Sequence, residues 1–293
     1  MTTPALSHQL LAVVDPADAS RHASRGRARV RDDYLARLRT LAAVRPVAPV
    51  FSHWSAAVVH GLPMLGPPPA TIHILGRSGV DERAWRGIVE HRARAGDATV
   101  VRRGLAATSV AATVADLAAR GSFVGGVVAA DHAVSAGAFG ERTPLATREA
   151  LVTAAAHLRD PVERTRALKA AAFCDGRAES PIESVSRAVM DILGLPPPEL
   201  QHEVDLPGIT ARVDFAWPRL GVIGEADGDV KIADPRMLAG RSPMQVLRSQ
   251  LARQRAIEKE TGMRVVRWGW DTARRADRLG PLLARHGVLP IRS

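Results

Sequence analysis

Cys174 is the sole cysteine in 293 residues, so the chain can form neither an intramolecular disulfide nor a cysteine-built zinc cage. Aromatic residues are scarce, at 4%, which leaves Ala, Val and Leu to fill the core and favours helices. No stretch approaches the roughly 18 apolar residues of a membrane-crossing helix. The N-terminus also lacks the basic start and apolar run of a secretory leader. The expectation is a soluble, cytoplasmic protein with no membrane partner. Lysine is nearly missing while arginine abounds, a bias that a high-GC genome produces by itself. The net charge of +10 is therefore a weak argument for a nucleic-acid partner.

The placement of charge says more. Arg236 to Arg285 carries twelve bases against four acids, whereas Glu179 to Asp234 carries eleven acids against four bases. An acidic cluster followed by a basic stretch suits a metal site beside a phosphate-binding surface. A solvated amphipathic helix explains any single arginine equally well.

The length suits two domains. Residues 1–46 read as a basic arm, either phosphate-touching or simply a solvent-exposed tail, followed by a helix from Asp32 to Val44. Residues 47–175 read as a helix-rich α+β region. It has a helix after Ser52, strands at Thr71–Leu75 and Ala98–Arg102, a helix capped by Thr108 or Ser109, and helices near 122–137, 146–158 and 162–173. His53 and His60 lie seven apart, too far for joint metal chelation on a helix, so packing or capping accounts for them. No catalytic constellation is evident there. Asp175-Gly176 marks the boundary with residues 177–293.

In that last region Ser180, Pro181 and Glu183 begin a helix. Glu199–Val204 and Ala211–Trp217 form a strand pair around Pro207-Gly208. Val213, Phe215 and Trp217 should share one face, leaving Asp214 on the other, where an acid is unfavourable without a partner. Leu220–Gly228 is a short apolar strand ending in Glu225 and Asp227, two apart and so on one face, about 7 Å from each other. Clustered carboxylates repel and take up protons unless a cation compensates, and oxygen ligands select Mg²⁺ or Mn²⁺. A basic helix at 242–261, a strand at 263–268 and a helix at 271–285 complete the chain.

Two resemblances follow. The Ser52–Pro63 helix, the Thr71–Leu75 strand, Gly104–Ser109 and Asp116-Leu117-Ala118 resemble the C-terminal domain of AbiEi-type antitoxins, over roughly residues 30–130. This implies a toxin or other protein partner. The winged helix-turn-helix that precedes this region in that family has no counterpart in the first fifty residues.

Arg177–Ser184, Pro198–Gln201, Arg212–Trp217, Gly224–Gly228 and Val265–Trp268 resemble, in order, the PD-(D/E)XK nuclease superfamily, in its branch similar to very-short-patch-repair endonucleases. The resemblance implies a restriction-endonuclease-like α-β-β-β-α-β domain that hydrolyses DNA phosphodiester bonds with Mg²⁺ or Mn²⁺. Asp214 and Glu225 would be the metal ligands, Glu183 a supporting acid and Gln201 a DNA contact. Arg248, Arg253 and Arg267 are further candidate DNA contacts. The superfamily's lysine is expected where this chain has Asp227, so Lys231 is the candidate replacement, and Glu225 or Asp227 would help to deprotonate the attacking water. With one cysteine, the structural zinc of very-short-patch enzymes has no ligands. The alternative function is a non-catalytic DNA-binding regulator or antitoxin that retains the fold.

Overall fold

The structure is a computed structural model that describes residues 16–76, 82–94, 98–137, 140–227 and 243–291. It is a mixed α/β fold with three small sheets. Helix α1 (Pro16–Val44) starts well upstream of Asp32. Residues 16–30 are therefore helical, contrary to the expectation of an irregular arm. Their Ala and Arg content favours helix, but they lack the apolar periodicity that marks a packed one. The buried stripe begins at Tyr34, Leu35 and Leu38.

Helix α2 (His53–His60) packs under β1 (Ile72–Gly76). Strand β3 (Ile88–Arg92) pairs parallel to β1 and antiparallel to β2 (Glu82–Trp85). Strands β4 (Thr99–Arg102) and β5 (Leu105–Thr108) form a hairpin, and Phe51 bridges Ile74 and Ala107 to tie it to β1. Strands β2, β3 and β5 are absent from the sequence reading because all are short and β2 is largely exposed, so none has a periodic signal. Helices α3 (Val110–Arg120), α4 (Phe123–Val134), α5 (Arg148–Ala156) and α6 (Pro161–Phe173) follow. Their caps are Ser109, Ser122, Thr147 and Asp160, each of which accepts a backbone N–H.

The chain then runs without an exposed linker through buried Cys174 and Ala178 into α7 (Pro181–Ile192), which packs on α4. One guanidinium nitrogen of Arg187 reaches both carboxylate oxygens of buried Asp131 at 3.1 Å.

Strands β6 (Glu199–Leu206), β7 (Ile209–Trp217), β8 (Val222–Ala226) and β9 (Arg264–Trp268) form one sheet in that order. The first three are antiparallel; β8 and β9 are parallel. A parallel pair needs a crossover; α8 (Pro243–Thr261) lies within it. Two short helices, α9 (Trp270–Ala273) and α10 (Ala276–Ala284), stand where the sequence suggests one. All four strands of this sheet come from residues 199–268. Its core lies between α7 (Ile182, Val185, Val189) and Phe215, Trp217 and Trp268, and a second cluster packs Val213, Ala216 and Ile223 with Ile257 of α8.

Candidate functional site

The start of α7 fixes Glu183. Its backbone N–H is 3.4 Å from the Ser180 hydroxyl, and its carboxylate accepts from that hydroxyl in return. The other carboxylate oxygen accepts the Glu179 N–H at 3.0 Å and the Gln201 amide at 2.8 Å. These bonds form a capping box whose return contact falls on the Glu179 amide instead of that of Ser180, and a strand side chain joins it. Burial, then the charge of Asp214, push Glu183 up to about 7.

Asp214 lies at a break in the β6–β7 ladder. Pairs run on either side of it, at Leu200–Phe215 and His202–Val213, but Gln201 and Asp214, which face each other, are not paired. Gln201 has φ +51°, a left-handed conformation that interrupts the strand. Side-chain alternation fails across this break. Val213 packs with Ile257 of α8, whereas Phe215 and Trp217 pack beneath α7. The expectation that all three share a face is therefore corrected. Gln201 spends its amide on Glu183, and Asp214 accepts the Ala226 N–H at 2.8 Å.

Glu225 is the penultimate residue of the fully buried β8 and is itself only 5% exposed. Burial first, then the charge of Asp214, raise it to about 7, with Arg253 and Arg267 opposing. Arg253, from α8, donates to Glu225 at 3.2 Å and to the Arg212 carbonyl at 2.6 Å. Arg267 faces Glu225 across the parallel register and holds Asp227 with two bonds, at 2.7 and 3.2 Å. Burial pulls the Arg267 pKa down, yet the bonds and charge of Asp227, with the fields of Glu225 and Asp214, leave it raised. Arg248 lies on an exposed part of α8. Lys231 lies outside the described residues.

The structure therefore brings Glu183, Asp214, Glu225, Asp227, Gln201, Arg253 and Arg267 into one region, and Arg248 stands exposed on the helix that supplies Arg253. Sequence reading missed that two of the arginines pair with the acids. They are distant in sequence, and only the β8–α8–β9 crossover joins them.

Oxygen donors fit a hard divalent cation: Glu183 and Glu225 are raised to about 7 by burial first and by the charge of Asp214 second, and a cation would offset both. No group of three His, Cys, Asp or Glu side chains forms a metal cage among the described residues. Mg²⁺ does not require one, since it usually takes one or two carboxylates and completes its shell with water and substrate phosphate.

A second polar cluster lies in residues 47–116, where sequence reading found none. The rings of His53 and His91 stack at 3.6 Å, and His73 Nδ1 is 2.8 Å from His91 Nε2. His53 also faces Asp116 at 3.4 Å, and Asp116 pairs with Arg94 at 2.5 Å. Burial holds His73 and His91 near 4 and His53 well below its ordinary value. Only His53 stood out in the sequence; β1 and β3 bring up the others.

No family model matches the chain, and no solved structure matches it. It is similar to two uncharacterized proteins of Mycobacterium tuberculosis, from strains CDC 1551 and H37Rv, at 52% identity over 54 residues in each case. That match covers 18% of this chain and 20% of each relative.

Proposed function

We propose that residues 177–293 act as a Mg²⁺- or Mn²⁺-dependent endodeoxyribonuclease. The observation that carries this reading is the group of Glu183, Asp214 and Glu225, in which burial and the Asp214 charge drive both glutamates to about 7. The order helix, three antiparallel strands, helix, parallel strand supports it, as does the basic composition after residue 236.

Asp214 and Glu225 would hold the cation, which supplies Lewis-acid activation of water and charge stabilisation of the phosphodiester transition state. Around it the chain's own residues divide the work. The Ala226 N–H fixes one Asp214 oxygen. Glu183, held by Ser180, Glu179 and Gln201, would act as the supporting acid that shapes the site's charge. Burial and the Asp214 charge raise Glu225 to about 7 in the metal-free chain, and a bound cation would draw it into the ionised form that ligates. Arg267 holds Asp227, which removes the repulsion that a free carboxylate would present to an incoming phosphate. Arginines of α8 would grip the backbone without reading sequence.

A second reading is a DNA-binding protein that does not cut. It is favoured by Arg253 and Arg267 already engaging Glu225 and Asp227. Plasmid incubation with Mg²⁺, Mn²⁺ or EDTA separates the two. The nuclease reading expects metal-dependent nicking or cutting, lowered at least about a hundredfold by Asp214→Asn. Binding that survives Asp214→Asn with no cleavage in any metal would assign the domain to the second reading.

A further inference from the structure

Arg31 and Arg103 meet at the C-terminal end of α2, while Arg142 binds His132 of α4, and the charge of Arg102 reaches both His60 and His132. Gly61 ends α2 with φ +82°. A β-carbon on Gly61 would stand 3.3 Å from one terminal nitrogen of Arg103 and 3.8 Å from one of Arg31, so both guanidiniums use the space that glycine leaves. Arg31 donates to the Leu62 carbonyl at 3.1 Å and Arg103 to the Val58 carbonyl at 3.2 Å. Arg142 donates to the His132 carbonyl at 2.6 Å and lies 2.9 Å from that histidine's ring, while its buried Nε has no partner.

The neighbours register the excess charge. Burial, then Arg142, Arg31 and Arg102, lower His132 to about 4. Burial lowers His60 as well, with Arg102 and Arg103 adding to the effect against the Thr108 carbonyl bond. Burial and Arg103 lower Arg31 itself, and Asp32 is the acid whose field reaches it. No described carboxylate forms an ion pair with Arg31, Arg102, Arg103 or Arg142; every described salt bridge involves other bases.

Capping of the α2 carbonyls explains only part of this. A helix C-terminus offers about half a negative charge, and Arg142 binds a carbonyl of another helix. The carbonyls orient the guanidiniums without neutralising them, and each guanidinium carries five donors. A partly desolvated group of uncompensated arginines matches the charge and donor geometry of a phosphate group.

We propose that Arg31, Arg102, Arg103 and Arg142 form a phosphate-binding site in the N-terminal half, beside His60 and His132. The phosphate comes either from a small phosphorylated molecule or from a nucleic-acid backbone. The site is independent of the nuclease reading, and its test needs no cleavage.

The full chain, in EDTA and low salt, is titrated calorimetrically with pyrophosphate and separately with a short DNA duplex. Saturable pyrophosphate binding is expected, weakened about tenfold or more by Arg103→Gln and by Arg142→Gln. The exposed Arg39→Gln should leave it unchanged. If the phosphate is that of a backbone, pyrophosphate also displaces the duplex and Arg103→Gln weakens duplex binding. If it belongs to a small molecule, duplex binding ignores Arg103→Gln. Absence of saturable pyrophosphate binding to the wild-type chain overturns the site. So does wild-type affinity in Arg103→Gln, which sits on an exposed turn and is the variant best placed to fold; the arginines would then be helix caps.

Discussion

At Glu183 and Glu225 a raised pKa makes a statement about stability. Each carboxyl ionises near 4.5 when the chain is unfolded and near 7 when folded. Between those values the folded chain holds protons that the unfolded chain has released, so stability falls as pH rises from about 4.5 to about 7 and is flat above. His73 and His91, lowered from 6.5 to about 4, act in the opposite direction: stability falls as pH drops through that interval. The carboxyl contribution is therefore isolated by comparison with Asp214→Asn, which removes the shared charge while keeping an acceptor for Ala226. The variant should gain on the order of 1 kcal/mol over wild type at pH 8 and lose that advantage near pH 4.5. Mg²⁺ at pH 8 should raise the wild-type melting temperature and leave the variant's unmoved. A pH-independent difference in denaturant midpoints would show that the three carboxyls do not share a field.

Among the elements, β8 carries the tightest geometry. A β-carbon on Gly224 would meet Trp268 at 2.5 Å and Phe215 at 3.2 Å, so Gly224→Ala should cost about 1–3 kcal/mol in urea unfolding. A variant as stable as wild type would mean that Trp268 has room to move. The sequence showed β8 well, because Val222 and Ile223 are bounded by Gly221 and by two acids. It showed α7 well too, through Ser180, Pro181 and the apolar stripe behind them. Asp214 and Glu225 stood out because acids inside apolar elements need a reason, whereas Glu183 read as a helix-start residue and gained a site role only through the resemblance. What it hid was the break at Gln201, since a left-handed glutamine has no signature in composition or period. The pairing of Arg253 and Arg267 with acids far back in the chain was equally hidden. The His53–His73–His91 stack was missed because β3 carries no periodic pattern, and imidazoles from three elements meet only after β1 and β3 align.

Across the whole molecule α7 belongs to both halves. Ala188 packs in the cluster built by α3, α4 and α6, while Val185 and Val189 pack beneath the β6–β9 sheet. The joint is fastened by Arg187 and Asp131, both buried, with Asp131 also accepting the Asp175 N–H at 2.8 Å. Removing one member of a buried pair strands the other's charge, so Asp131→Ala should cost about 3–5 kcal/mol. Asp131→Ala with Arg187→Leu should cost less than Asp131→Ala alone, because neither charge then remains buried. Glu183 rides on the same helix, one turn before Arg187. Loosening α7 therefore also moves Glu183 relative to Gln201 and Asp214. Under conditions where Asp131→Ala stays folded, metal-dependent cleavage should fall, and the double variant should recover part of it. Chemical denaturation and the plasmid assay check both halves of this expectation. Loss of stability with unchanged cleavage would confine the joint to a structural part, and unchanged stability would mean that α7 is held by its apolar contacts alone.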